Sequence, residues 1–179
     1  MHFKEADYRS TPLRTLCTTS TNAINELIAF SKAGVLDGVT AKEYAEYFYG
    51  AVLVACQAYA VGTVSDVNDI QKSNHKKLDL YKYKETEYHQ YSYIELINAL
   101  ANYFKHHEEW DNWPLNETTK TLRSYGINEN TEFPLGAGIE ALIGESEELR
   151  GLCSILENWR FSLLNIRQKM PNPSFKRDA

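Results

Sequence analysis

Apolar side chains recur every three or four residues in several separate stretches of this chain, a period that predicts helices rather than strands. The first eighteen residues keep no such period and are expected to form an extended arm or a short helix. From Ser20 the string STNAINELIAFSKAG puts Ile24, Leu27 and Ile28 on one face and stops at Gly34. A second helix is predicted from TAKE, where Thr40 can cap and Glu43 can return the bond as a capping box. Tyr44, Tyr47, Phe48, Ala51, Val52, Ala55 and Tyr59 then keep helical spacing to about Val61. Little charge follows Glu46, so this helix is expected to be the central and most buried one.

The polar, lysine-rich string SDVNDIQKSNHKKLDLYKYKETEYHQY breaks the pattern and reads as an irregular connection with an extra helical turn at its start. Ser92 opens a capping box with Glu95, and its helix carries Tyr93, Ile97, Leu100 and Phe104 as a narrow apolar stripe that ends before Pro114. Asn116 can cap a short helix, ETTKTLRSYG, closed by Gly126. PLGAGIEALIG reads as a Gly-rich turn. Leu149, Leu152, Leu156, Trp159, Leu163, Ile166 and Met170 then alternate spacings of three and four, a heptad seam that suits either a bundle core or an intermolecular helix pair. The expected fold is all-α: a helical bundle of four main helices plus one or two short ones, with one long crossover connection. One domain is expected over 1–170, and a disordered tail over 171–179.

Composition narrows the function classes. At 179 residues, 43% hydrophobic and 24% charged, the chain suits one soluble domain, and a net charge of −5 disfavours a large nucleic-acid footprint. No apolar run reaches the roughly 20 residues that cross a bilayer, and MHFKEADYRS lacks the apolar segment of a secretory signal. A cytoplasmic protein without a membrane partner is expected. Cys17, Cys56 and Cys153 form no CxxC pair and read as free thiols, Cys56 and Cys153 packed in the core. No histidine follows a glutamate by three residues and no His-Glu-x-x-His occurs, so neither a metal site nor a cofactor is expected. Lys72, Lys76, Lys77, Lys82 and Lys84 with Tyr81, Tyr83 and Tyr88 could stack on and neutralise single-stranded nucleic acid, but Asp79, Glu85 and Glu87 dilute them and favour a solvated loop.

The stretch NYFKHHEEWDNW, Asn102 to Trp113, concentrates the chain's reactive side chains. At about 100° per residue, Asn98, Asn102, Lys105, His106 and Glu109 share one helical face, opposite the apolar stripe. That polar face is expected to point away from the core, toward solvent or a second surface such as a partner subunit. Tyr103, His106 and Trp110 would lie at or beside such a recognition surface.

Two resemblances add to these readings. The tail PNPSFKRDA resembles the C-terminal tails of proteins encoded in integron gene cassettes, where a reading frame runs into the recombination site; this implies a mobile bacterial gene. NYFKHH after an amphipathic helix resembles the N-x-x-K-H variants of the HEPN superfamily of helical bundles. That resemblance implies dimerisation across the motif helix and, in active members, RNA cleavage by an arginine followed four to six residues later by a histidine. Here Asn102 stands where the arginine is expected, followed by Lys105 and His106. Loss of the planar, permanently charged guanidinium argues against nuclease chemistry. The expected function is therefore a non-enzymatic interaction or small-ligand-binding helical module acting as a homodimer. The alternative is a HEPN-like RNA-directed effector, in toxin action or phage defence. It would be a metal-independent ribonuclease using Lys105 and His106 on a phosphodiester, with Asn102 and Glu109 beside them and Arg123 reaching in.

Overall fold

The computed structural model describes residues 6–83, 90–144 and 148–165, and every regular element among them is helical. The all-α expectation holds, with four differences in where the helices lie.

Helix α1 spans Ser10–Lys32 and so begins ten residues before the predicted start. Its first turns have only Leu13 and Cys17 to bury, too few for a visible period, but polar anchors fix them. Glu157 accepts hydrogen bonds from Ser10 and Arg14, and Thr15, Thr18 and Thr19 donate to carbonyls one turn back. Past its end, Gly34 takes the left-handed conformation (φ +70°), as predicted.

Helix α2, Gly38–Gln71, is the spine of the bundle and packs against α1 and most later helices. Its cap is Asp37, whose carboxylate accepts from the N–H groups of Val39 (2.9 Å) and Thr40 (3.0 Å). The hydroxyl of Thr40 also donates to Asp37, so the predicted Thr40–Glu43 box does not form. The helix runs ten residues past the predicted end near Val61, because the polar-looking SDVNDIQ hides a buried side. Val64 and Val67 pack into the core, and Asp66, 2% exposed, accepts from Arg160 (2.8 Å) and Arg9 (2.6 Å). Tyr59 donates to Asp7 alongside, and a methyl group at Gly62 would strike the Arg9 side chain. This charge network ties the N-terminal segment to α2 and to the last helix.

A short helix α3, Lys77–Tyr81, interrupts the stretch read as a loop. It buries Leu80 and Tyr81, and Trp159 donates from Nε1 to the Leu80 carbonyl (3.2 Å). The rest of the Lys/Tyr stretch, 84–89, lies outside the described residues. Helix α4, Tyr93–His106, opens with the predicted Ser92–Glu95 capping box. Its apolar face is wider than the four-residue stripe: Ile94, Leu96, Ile97, Ala99, Leu100 and Ala101 are buried, while Tyr93 is exposed at the edge. A 3₁₀ turn follows at His107–Glu109, then α5, Glu117–Ser124, capped by Asn116 as predicted.

The Gly-rich turn is instead a helix, α6, Pro134–Ile143. Its glycines serve contact: a methyl group at Gly138 would collide with Leu100, so the residue lets α6 lie against α4. Helix α7, Arg150–Asn165, buries Leu152, Leu156, Trp159 and Leu163, with Leu149 buried just before it. The heptad seam is therefore intramolecular over these five positions; Ile166, Met170 and the tail 171–179 lie outside the described residues.

Candidate interaction surface

The inner face of α2 carries Val52, Leu53, Cys56, Tyr59, Ala60, Thr63 and Val67, all buried. Turned roughly 180° from them run Tyr44, Tyr47, Ala51, Val54, Ala58, Val61 and Ser65, spaced by alternating threes and fours. All but Val54 are exposed: Tyr47 at 64%, Tyr44 at 51%, Val61 at 45%. No charged residue occurs from Tyr47 to Ser65. A helix apolar all round is one that is buried all round, yet this one is covered on half its circumference. The expectation that it would be the most buried helix is corrected to that extent. Among the described residues it is also the one helix long and apolar enough, by length and composition, to cross a membrane; the apolar run is longer than the sequence reading allowed.

Helix α4 lies along one edge of this face. Gly50 makes the close approach possible, since a methyl group there would run into the Phe104 ring, and Tyr47 meets Phe104 edge-on with centroids 6.0 Å apart. The lone amide in the apolar run, Gln57, joins the two helices. Its Nε2 donates to Asn98 Oδ1 and Asn102 Oδ1 (both 2.9 Å), and its Oε1 accepts from Lys105 Nζ (2.9 Å). This corrects the expectation that the polar face of α4 turns wholly outward: Asn98 and Asn102 are half-buried against α2. Lys105 and His106 remain exposed at its end. His106 Nδ1 lies 3.4 Å from the exposed carboxylate of Glu109, which the chain brings back on the 3₁₀ turn.

The two tryptophans close this end of the bundle. Tyr103 stacks on His107 (4.7 Å between centroids) and meets Trp110 and Trp113 at 5.7 Å each, while His107 Nδ1 sits 3.1 Å from the Tyr103 carbonyl. Tyr103 and Trp110, both half-buried, thus brace the edge of the bundle through their ring contacts. Arg123, proposed to reach toward the histidines, pairs with Glu129 at 3.2 Å. Among the described residues no three metal-ligating side chains converge.

A groove of about 970 Å³ lies between α1, the first half of α2 and α6. On its floor, Glu46 accepts from the N–H groups of Leu135 (2.9 Å) and Gly136 (2.6 Å) at the start of α6. Burial raises the Glu46 carboxyl above its ordinary value; these two bonds and the nearby His107 act against the rise. The carboxylate is thus committed to the fold, as an N-terminal cap supplied by another helix.

The sequence reading missed Gln57 and the outer stripe of α2. An isolated amide within nineteen uncharged residues was the available signal for the first. The heptad spacing from Tyr44 to Ser65 was the signal for the second. Compared with family models, with curated proteins and with solved structures, the chain matches none.

Proposed function

We propose that this protein is a self-associating helical interaction module whose outer α2 face, with the adjoining edge of α4, pairs with a second copy of the chain. The observation that carries the reading is the uncharged heptad stripe from Tyr44 to Ser65 left exposed beside a packed core. A two-fold pairing presents the same patch twice, and a patch without charge meets its own image without repulsion. Residue sizes favour an antiparallel crossing centred near Val54. That register sets Tyr44 against Ser65, Tyr47 against Val61 and Ala51 against Ala58, large facing small at the ends and small facing small where the backbones come closest. A stable interface takes about 800 Å² from each partner. The apolar edge of α4 at Phe104, which meets Tyr47, extends the stripe and belongs to it.

The reading predicts that the native protein runs at twice its chain mass in light scattering, and that Ala58→Glu runs as a folded monomer. Cysteine at Val54 should crosslink to its own copy, while cysteine at Tyr44 alone should not. A wild type that is monomeric at all concentrations contradicts the reading. So does an α2 face that is covered only on addition of lipid vesicles, which would assign it to a membrane.

The second reading, an RNA-directed effector, draws on the exposure of Lys105 and His106 side by side at the end of α4. Asn102 and Lys105 are engaged by Gln57 and Arg123 by Glu129, which leaves His106 with Glu109 3.4 Å away. Cleavage of RNA by purified wild type, lost in His106→Ala with association intact, would establish this reading over a purely structural module. A small-ligand role would fall to the groove above Glu46 instead.

A further inference from the structure

Three thiols far apart in sequence are all buried, and two of them touch. Cys17 on α1 and Cys153 in the first turn of α7 lie with their sulfurs 3.6 Å apart, both fully enclosed. Cys56, on the inner face of α2, is likewise enclosed, without a sulfur contact of this kind. A disulfide needs about 2.05 Å between sulfurs, so the Cys17–Cys153 pair has roughly 1.5 Å to close.

The two sulfurs are not equivalent. One hydrogen bond joins the sulfurs, and either thiol can donate it; it is the main cause that lowers Cys153 below the ordinary thiol value, against burial and with the Arg14 guanidinium. The same hydrogen bond, followed by burial, raises Cys17. The amino end of a helix also favours a thiolate. Cys56 is raised by burial, and the neighbouring Cys153 adds to the rise.

We infer that Cys17 and Cys153 form an oxidation site: hydrogen peroxide converts them to an intramolecular disulfide that staples the first helix to the last, and Cys56 stays a thiol. Cys153 sulfur attacks one peroxide oxygen, the O–O bond breaks, and the departing oxygen leaves as water with the thiol proton, giving a Cys153 sulfenic acid. Cys17 sulfur then attacks Cys153 sulfur; the S–S bond forms, the S–O bond breaks, and the hydroxyl leaves as water with the Cys17 proton. Two thiols are oxidised, one peroxide is reduced and two waters are released. Peroxide is small enough to reach enclosed sulfurs through local opening of the α1–α7 contact. In a reducing compartment the bond would form only under oxidative load and be reversed by thiol exchange.

The test is treatment of the folded wild-type protein with hydrogen peroxide, followed by alkylation in denaturant and peptide mapping. The expected product is one crosslinked pair joining the peptides of Cys17 and Cys153, with Cys56 alkylated, and a chain that remains single in denaturing gels without reductant. Closing so long a loop should raise the melting temperature by roughly 5 °C or more, reversibly with dithiothreitol. Cys56→Ser should leave the crosslink yield unchanged. Cys17→Ser should abolish it and leave a sulfenic acid on Cys153 that dimedone traps. Recovery of all three cysteines as alkylated thiols, under peroxide that fully oxidises a small free thiol in the same tube, overturns the proposal. So does a bond that includes Cys56, or one formed between chains.

Discussion

The two faces of α2 are alike in apolar character and opposite in fate. The inner face meets α1, α4, α6 and α7, and where it carries a charge, at Asp66, that charge is held by Arg9 and Arg160. The outer face carries no charge from Tyr47 to Ser65, and among the described residues α4 meets it along one edge. A helix sequence therefore records how much of its circumference is to be covered; it does not record which chain does the covering. Once the inner face is assigned to this chain's own core, the outer face is left as the part of the pattern still unexplained within one copy.

Substitutions on the two faces should separate these fates. The largest loss is expected from Asp66→Ala, which removes the 2.8 Å carboxylate partner of the Arg160 guanidinium in the core, where Arg160 is 3% exposed. Breaking such a pair costs about 3–5 kcal/mol, read as a drop in the denaturant midpoint. Leu156→Ala, in the internal seam, should cost about 2–5 kcal/mol by leaving a cavity and leave association untouched; a seam that held two chains together would instead show dissociation first. Gln57→Ala removes the partner of Asn98, Asn102 and Lys105 at once and should cost about 1–2 kcal/mol, with a weakened dimer because the α4 edge loosens.

Glu157 gives a smaller effect with a pH signature. Burial pushes its carboxyl up, but the hydrogen bonds from Arg14 and Ser10 and the Arg14 charge outweigh burial, and the folded value falls below the ordinary 4.5. A carboxylate lowered on folding stabilises the protein above its unfolded value, and that contribution is lost as pH falls through the folded value. Glu157→Gln should therefore lower stability by about 1 kcal/mol at pH 7, with the gap to wild type closing as the pH falls through the lowered folded value. A gap that stays constant with pH would assign the effect to packing. Ala58→Glu completes the series, with monomer stability changed by no more than about 0.5 kcal/mol and association lost.

Local signals were the legible ones. Ser92–Glu95 and Asn116 capped their helices as read because a cap is made within four residues. At α2, Thr40 offered a cap, but Asp37 three residues earlier accepts from the free N–H groups of Val39 and Thr40 and is the cap. The start of α1 and the end of α2 were illegible because distant residues hold them: Glu157 for Ser10 and Arg14, Arg160 for Asp66. The glycines of α6 imitated a turn, though Gly138 is there to admit Leu100. In the candidate site, the shared face of Asn98, Asn102, Lys105 and His106 followed from helix geometry. What it faces depended on Gln57, forty-one residues before Asn98, and no local pattern carried that.

The central claim is that the outer face of α2 is covered by a second copy, and hydroxyl-radical footprinting across a dilution series measures that cover directly. Tyr44, Tyr47 and Val61 should be protected in concentrated protein and become oxidised together on dilution, while exposed Phe161 and Leu115 react equally throughout. Equal oxidation of Tyr47 and Val61 at every concentration, matching that of Ala58→Glu, would contradict it.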